Sequence, residues 1–539
     1  MSEREAVFEP ERTKEHLQNS APFNVSGGSV NPWIIGISVM LATFMEVLDT
    51  AIASVALPYI AGSLSASTDE ATWVLTSYLV ANAIVLPASN WCALKFGRKR
   101  FLLTCVAIFT ASSFACGAAP TLGLMLLARI LQGAGGGALQ PLSQSILLES
   151  FPPEKRGVAM SLFGFGVVCA PVLGPTLGGW LTDAYSWRYA FYINIPVGIL
   201  AILMISRFVH DPPHMKGGKS SSFDSIGLGT LVVWTGCLQV ILDKGQEDDW
   251  FGATWIRWAA VLLVVSFVWF VWHSWRAENP LVNLRVLKDR NFALGCVLIL
   301  LFGISIYSTV TVLPLFYQEL LGYTAFTAGV VVAPRGIGSI LAMPLIAYLS
   351  EKIDSRYLLT FGFVLFALTT LYMGGITTEI SPWTLLAPIL ITGFGVGFIF
   401  VPITTQAYGT LRREQIGGAS GLYNLMRNIG GSIGISVCST LLTRRGAAHQ
   451  SELTNYVPLS GQQFEAGLAT RMHALTPHFG PGHTRFPAEV QMYSELQYQA
   501  TDWAFVDVFR WLALLCLVGA VLVWFFKRVE RGRPAAGAH

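Results

Sequence analysis

Glu46 and Asp49 stand three residues apart in the apolar stretch ATFMEVLDTAIASVALP. On a helix that spacing puts both carboxylates on one face. An ionised carboxylate near the centre of a bilayer costs about 2.5–3.5 kcal/mol on insertion scales. Each acid must therefore face a cavity, pair with a cation or take up a proton. Burial and a like-charged neighbour both favour the protonated form, so the pair suits proton binding or, when ionised, a cationic substrate. Asp49 has a second reading, as a hydrogen-bonding group that fixes helix packing. Arg129, in LLARILQGAGGGALQ, also lies in an apolar run and needs a carboxylate or carbonyl partner. Gln132 shares its face at i+3, and Glu46 or Asp49 is the expected partner.

Other polar side chains in apolar segments are Asn82, Gln140, Gln144, Arg335, Gln406, Asn424 and Arg427. They suit either the lining of a cavity or simple bonds between helices. Gly133, Gly135, Gly136 and Gly137 would let a neighbouring backbone approach closely. In GFGVVCAPVLGPTLGGW, Pro171 and Pro175 bend a helix, and Gly174, Gly178 and Gly179 smooth its surface. That pattern describes a kinked, tightly packed helix at a moving or sealing interface. The cluster KFGRKR holds Lys95, Gly97 and Arg98, which could bond helix ends and carboxylates in a closed gate. No P-loop and no catalytic cluster is present. His473, His478 and His483 recur without a carboxylate or cysteine at helical spacing, so no metal site is expected and an unstructured polar loop is.

The elements that must position these groups follow from composition. The chain has 539 residues, 53% hydrophobic and 12% charged, with a mean hydropathy of +0.54. A soluble protein carries roughly 25% charged residues, so a large soluble enzyme is excluded. The net charge of +3 gives no reason to expect nucleic acid as a partner. Fourteen apolar segments can be counted, at about 33–57, 73–94, 101–119, 121–148, 157–181, 188–208, 226–242, 254–274, 291–316, 328–349, 357–376, 383–408, 416–442 and 503–526. The polar first 30 residues lack the apolar core of a cleaved signal, so the segment at 33 is expected to be the first span. With the N-terminus inside, 24 of the 35 basic residues fall in inner pieces, 7 in outer loops and 4 in spans. That bias predicts both termini in the cytoplasm. All eight cysteines lie in apolar segments, so no disulfide framework is indicated.

The organisation expected is a cytoplasmic N-tail (1–32), a six-helix bundle (33–208), a linker with two extra spans (209–290), and a second six-helix bundle (291–530). The second bundle would carry a long outer loop at 443–502 and be followed by a cytoplasmic tail at 531–539. NWCALKFGRKRFLL at 90–103 aligns with AYLSEKIDSRYLLT at 347–360, which places Glu351 and Lys352 in a second copy of the gate cluster. The repeat points to two parallel halves.

LDTAIASVALP, NWCALKFGRKR, RILQGAGGG, APVLGPTLGGW and SWRYAFYINIPVG together resemble motifs of the major facilitator superfamily, in its 14-span drug:proton antiporter branch of the EmrB/QacA type. The resemblance implies an all-α polytopic membrane protein of the major facilitator fold, with two six-helix bundles and two inserted central helices. It implies a proton-coupled antiporter that exports lipophilic or amphipathic compounds by alternating access, driven by the proton motive force and needing no cofactor. It also implies a bacterial cytoplasmic (inner) membrane, with membrane lipids around the protein and, in two-membrane cells, a periplasmic adaptor and outer-membrane channel as partners. A dedicated exporter of one metabolite or siderophore is the alternative within transport. A receptor or scaffold using the outer loop is the alternative outside it. Two positions depart from the family pattern: Asn90 stands where Gly is usual, and Leu94 where an acid is usual. Glu351 supplies that acid in the second copy.

Overall fold

A chain that crosses a bilayer finds no water there for its N–H and C=O groups, so each crossing must close its own hydrogen bonds. The computed structural model describes residues 31–528 apart from 153–154, 212–223, 279, 376–381, 457–460 and 481–482. Among these the regular structure is entirely helical. Residues 1–30 of the expected N-tail (1–32), the expected tail at 531–539 and residues 212–223 of the expected linker (209–290) lie outside the described residues.

In chain order the helices are α1 (Pro32–Ser63), α2 (Thr68–Phe96), α3 (Arg98–Ala118), α4 (Leu122–Gly136), α5 (Leu139–Ser150), α6 (Arg156–Ala184), α7 (Tyr189–Tyr192) and α8 (Asn194–Phe208). Then come α9 (Ser225–Lys244), α10 (Thr254–Arg276), α11 (Arg290–Glu319), α12 (Ala325–Val332), α13 (Pro334–Lys352), α14 (Ser355–Met373), α15 (Pro382–Gly409), α16 (Arg413–Tyr456), α17 (Gln462–Phe479) and α18 (Arg485–Leu522). Local signals set their ends. Ser67 and Glu70 form a capping box at the start of α2, and Asp289 accepts from the Phe292 N–H at the start of α11. Gly97, at φ 87°, turns the chain between α2 and α3 in a conformation that side-chain-bearing residues avoid.

Among the described residues thirteen helical stretches are long and apolar enough to cross a membrane. The fourteenth expected segment, 416–442, is also helical, within α16. Its Asn424, Arg427, Asn428 and Ser432 keep it more polar than the rest. Three expected single spans remain single crossing stretches, each with a one- or two-residue break between helices. The segment 121–148 is divided at Gly137–Ala138, 188–208 at Ile193, and 328–349 at Ala333, where Pro334 opens a new helix.

The expected polar loop at 443–502 is mostly helix. The 44-residue α16 runs on to Tyr456, α17 follows, and α18 begins at Arg485, well before its apolar part. The reason is an apolar stripe at helical spacing. Phe464 and Leu468, with Met472 and Leu475 beside them, pack against Ala488 and Met492 of α18. His473 and His478 sit on α17, and His483 in the turn after it.

Helices α1 to α8 pack on one another, as do α11 to α16 with α18. Helices α9 and α10 pair together, and α9 rests on α2 and α16. The two groups meet where α6 touches α12, α13 and α15, and where α16 touches α2 and α5. We call the end of the bundle at which α1 starts the near end, and the other the far end.

Candidate functional site

Asp49 lies near the middle of α1 and is 1% exposed. Its Oδ2 accepts from Arg129 Nη1 of α4 at 2.7 Å, in an ion pair whose side chains are both fully buried. Its Oδ1 accepts from Gln132 Nε2 at 2.8 Å and from Asn194 Nδ2 at 2.6 Å. Arg129 also donates through Nε to the Val74 carbonyl of α2 at 2.9 Å and through Nη1 to Gln132 Oε1 at 2.8 Å. Its guanidinium lies over the Tyr78 ring, 4.3 Å from the centroid. Asn194 donates to Ser113 Oγ, which in turn donates to the Phe191 carbonyl. One carboxylate therefore ties α1, α4 and α8 together, and through Arg129 and Asn194 reaches α2 and α3. A proton on Asp49 would remove the charge that all these donors converge on.

Glu46, one turn earlier and 4% exposed, has different surroundings. Its carboxylate accepts from Gln140 Nε2 of α5 at 2.5 Å, Asn82 Nδ2 of α2 at 3.0 Å and Tyr78 Oη at 3.5 Å. All three are neutral donors. The two acids on one face of α1 are thus divided by chemistry: Asp49 is paired with a cation, while Glu46 is held by amides and a phenol. Asn82 Oδ1 accepts from Asn428 Nδ2 of α16 at 3.5 Å, which links the Glu46 cluster to the other group of helices.

The contact between α5 and α16 continues this polar seam. Gln144 Oε1 accepts from Asn424 Nδ2 at 2.7 Å and from Tyr408 Oη at 3.2 Å, and Ser420 Oγ donates to the Pro141 carbonyl at 3.1 Å. Arg427 projects from the same stretch of α16 and is 1% exposed. Arg335 and Gln406 do not join this network. Arg335 is buried on α13 with the Phe366 ring 5.9 Å from its guanidinium carbon, and Gln406 is buried on α15 with its Oε1 unbonded among the described residues.

Helix α6 runs along the junction of the two groups. Near its far end a Cβ on Gly174 would stand 2.3 Å from the Ala51 Cβ of α1, so no larger residue fits without moving a helix. Gly178 faces Ile52, and Gly179 faces Phe326 of α12. Pro171 and Pro175 lie inside the helix. At the near end Gly157 of α6 meets Ser350 of α13, while the Asn90 side chain of α2 lies against Gly417 and Gly418 of α16. The Asn90 departure is thus matched by a small-residue patch on the helix opposite.

The gate cluster divides as well. Arg98 forms an ion pair with Glu149 at 2.9 Å, joining α3 to the end of α5. Lys95 instead lies over the Trp91 ring of its own helix, 4.6 Å from the centroid. Asp211 accepts from the Lys99 N–H at 2.7 Å beside Gly97. In the second copy Lys352 rests on the Tyr348 ring at 4.0 Å, and the Glu351 side chain lies outside the described residues.

Sequence reasoning did not single out Asn194, Tyr78, Asn428 or the Val74 carbonyl. Polar residues within apolar runs were the available signal for the two asparagines. Nothing local marks a carbonyl as an arginine acceptor.

A family profile described as Major Facilitator Superfamily matches residues 39–435. The multidrug export protein EmrB of Haemophilus influenzae is 36% identical over 522 residues, covering 93% of this chain and 97% of that one. The fatty acid resistance protein FarB of Neisseria gonorrhoeae is 39% identical over 435 residues, 80% of this chain and 84% of that one. Among solved structures, the human organic anion transporter MFSD10 superposes with a TM-score of 0.57 at 13% identity, over 90% of this chain and 99% of that one. The proton:xylose symporter XylE gives 0.56 at 14%, over 92% and 97%. These last two likenesses concern the fold alone.

Proposed function

The chain belongs to the major facilitator superfamily, and from that premise we propose a proton-driven exporter of lipophilic and amphipathic compounds, working by alternating access. It is a multi-pass membrane transporter rather than an enzyme, and the proton gradient takes the place of a cofactor. The observation that carries the mechanism is the fully buried Asp49–Arg129 pair, on which four helices converge.

The cycle we infer runs through that pair. A proton arriving on Asp49 frees Arg129, Gln132 and Asn194 from their common acceptor. The first group of helices then loses the bonds that fix α1 against α4 and α8, and the halves rock about the α6 junction. One proton moving down a gradient of 100 mV and one pH unit releases about 3.7 kcal/mol. Breaking a buried ion pair costs about 3–5 kcal/mol, so the two quantities match. Glu46, with Gln140, Gln144, Asn424 and Arg427 on the seam, contributes the polar groups that substrate meets when the seam parts. The close contacts at Gly174 and Gly178 seal the far end, and Arg98 with Glu149 braces the near end.

In this reading the halves are 33–208 and 291–530, the near end faces the cytoplasm with both termini, and the membrane is the inner membrane of a bacterium. The helical extension at the far end then stands outside. Phe486, Val490 and Tyr493 repeat at helical spacing on α18 and are 75%, 49% and 54% exposed. That stripe suits a periplasmic adaptor leading to an outer-membrane channel. The relative named for fatty acid resistance supports amphipathic carboxylates as one substrate class.

The test is a proteoliposome assay with a dye panel and an imposed pH gradient. The reading expects substrate movement that collapses when the gradient is dissipated. Movement that persists unchanged without the gradient refutes it.

A further inference from the structure

Along the seam between the halves, hydrogen-bonding capacity is left open around one residue. Arg427 is 1% exposed, and none of its three guanidinium nitrogens has a hydrogen-bond partner among the described residues. Close by, the Gln144 Nε2 donor is also unfilled, as are the acceptors Asn424 Oδ1 and Gln140 Oε1. Gln144 and Asn424 meet across α5 and α16, which the Ser420–Pro141 bond also ties; Gln140 lies one turn before Gln144, and Arg427 one turn after Asn424. The contrast with Arg129 is direct, since that residue has a carboxylate, a carbonyl and an amide. A buried guanidinium without a partner is strongly unfavourable, and a ligand that supplies an anion removes that penalty.

A buried, largely aromatic face of α15 adjoins it. Phe400, Thr404 and Tyr408 share one face of α15. Tyr408 bonds Gln144, Thr404 bonds the Tyr423 hydroxyl of α16, and Phe400 stacks on Phe163 of α6 at 6.2 Å. This face runs from the polar seam to an aromatic contact between the halves.

We propose that Arg427 and Gln144 form the head-group site for an anionic amphiphile, a carboxylate on an apolar tail, with the tail lying along the Phe400 face. The planar guanidinium fork matches the two oxygens of a carboxylate, and the Gln144 amide supplies a further donor. Glu46, whose field Arg427 shares, is a rival anion for the same guanidinium. The proposal rests on the export reading only in that the seam must part to admit the ligand.

The experiment measures equilibrium binding of labelled dodecanoate to the purified full-length protein in nanodiscs of uncharged phosphatidylcholine, so that the bilayer contributes no anion. Dodecyltrimethylammonium and dodecanol serve as cationic and neutral counterparts. Wild type should bind dodecanoate more tightly than either. Arg427→Gln should weaken dodecanoate about 10–100-fold, with a wild-type thermal melt showing that the variant is folded. Arg427→Lys should recover part of the loss. Glu46→Gln should tighten dodecanoate by removing the rival charge. Equal dodecanoate affinity in wild type and Arg427→Gln, or weaker binding in Glu46→Gln, overturns the assignment. If a pH gradient drives the ammonium compound but never dodecanoate, this proposal fails and the export reading stands. If the gradient drives neither amphiphile and none of the dye panel, the export reading is the one that fails.

Discussion

Replacing Asp49 by Asn keeps the shape of the side chain and removes its charge. The native carboxylate accepts three bonds, two on Oδ1 and one on Oδ2 from Arg129. An Asn that keeps its oxygen toward Gln132 and Asn194 turns an NH2 group toward the Arg129 Nη1, donor against donor. Arg129 is fully buried and cannot reach water. It keeps only the Val74 carbonyl and Gln132 Oε1. The expected cost is that of breaking a buried pair, about 3–5 kcal/mol. Removing the cation as well, in Asp49→Asn with Arg129→Gln, should recover at least about half of this, because no buried charge is then left alone. Stability is read from unfolding of the purified protein in mild detergent, and coupling from substrate-driven proton release in vesicles. Both variants should lose coupling, because neither has a titratable group at residue 49. Two results would refute the reasoning: additive stability losses in the double variant, or full proton release by Asp49→Asn.

Three further outcomes are expected. Gly174→Val should abolish transport and lower thermal stability, since its Cβ would stand 2.3 Å from Ala51, whereas Gly179→Ala, with 3.7 Å to Phe326, should be tolerated; growth on a toxic substrate and a thermal melt separate the two. Arg98→Ala should slow transport several-fold, and Lys95→Ala far less, because only Arg98 holds a carboxylate across helices; initial rates in vesicles check this. Phe486→Ser with Val490→Ser should leave vesicle transport intact and reduce resistance in two-membrane cells, where the exposed stripe would need its partner.

Much of the fold was legible because the bilayer makes so few demands. Long apolar runs had to be helices, and basic residues between them marked alternating ends. Helix interruptions were less legible: a break at Gly137–Ala138 leaves the hydropathy of the run unchanged. The helical extension at 443–502 reads as a loop because its composition is polar. Its order depends on Phe464, Leu468, Met472 and Leu475 meeting α18, a pattern read only at helical spacing. At the site, an unpaired arginine in a span announced that it needed a carboxylate, but two acids one turn apart were equivalent in sequence. Packing decided between them. Asn194 and Gln132 converge with Arg129 on Asp49, while Gln140 and Asn82, from helices far apart in the chain, meet Glu46.

The inserted pair breaks the symmetry that two parallel halves would otherwise share. On one flank α9 is bonded to both halves. Gln239 accepts from Ser432 of α16 at 2.8 Å, Asp243 accepts from Thr76 of α2 at 2.6 Å, and Lys244 donates to Thr72 at 2.7 Å. The opposite flank, where α6 meets α12 and α13, carries no such cover among the described residues. A lipid-dissolved molecule approaching sideways would therefore meet α9 on one flank and no inserted helix on the other. In the export cycle proposed above, lateral entry from the bilayer would be one-sided, and the inserted helices would determine the side.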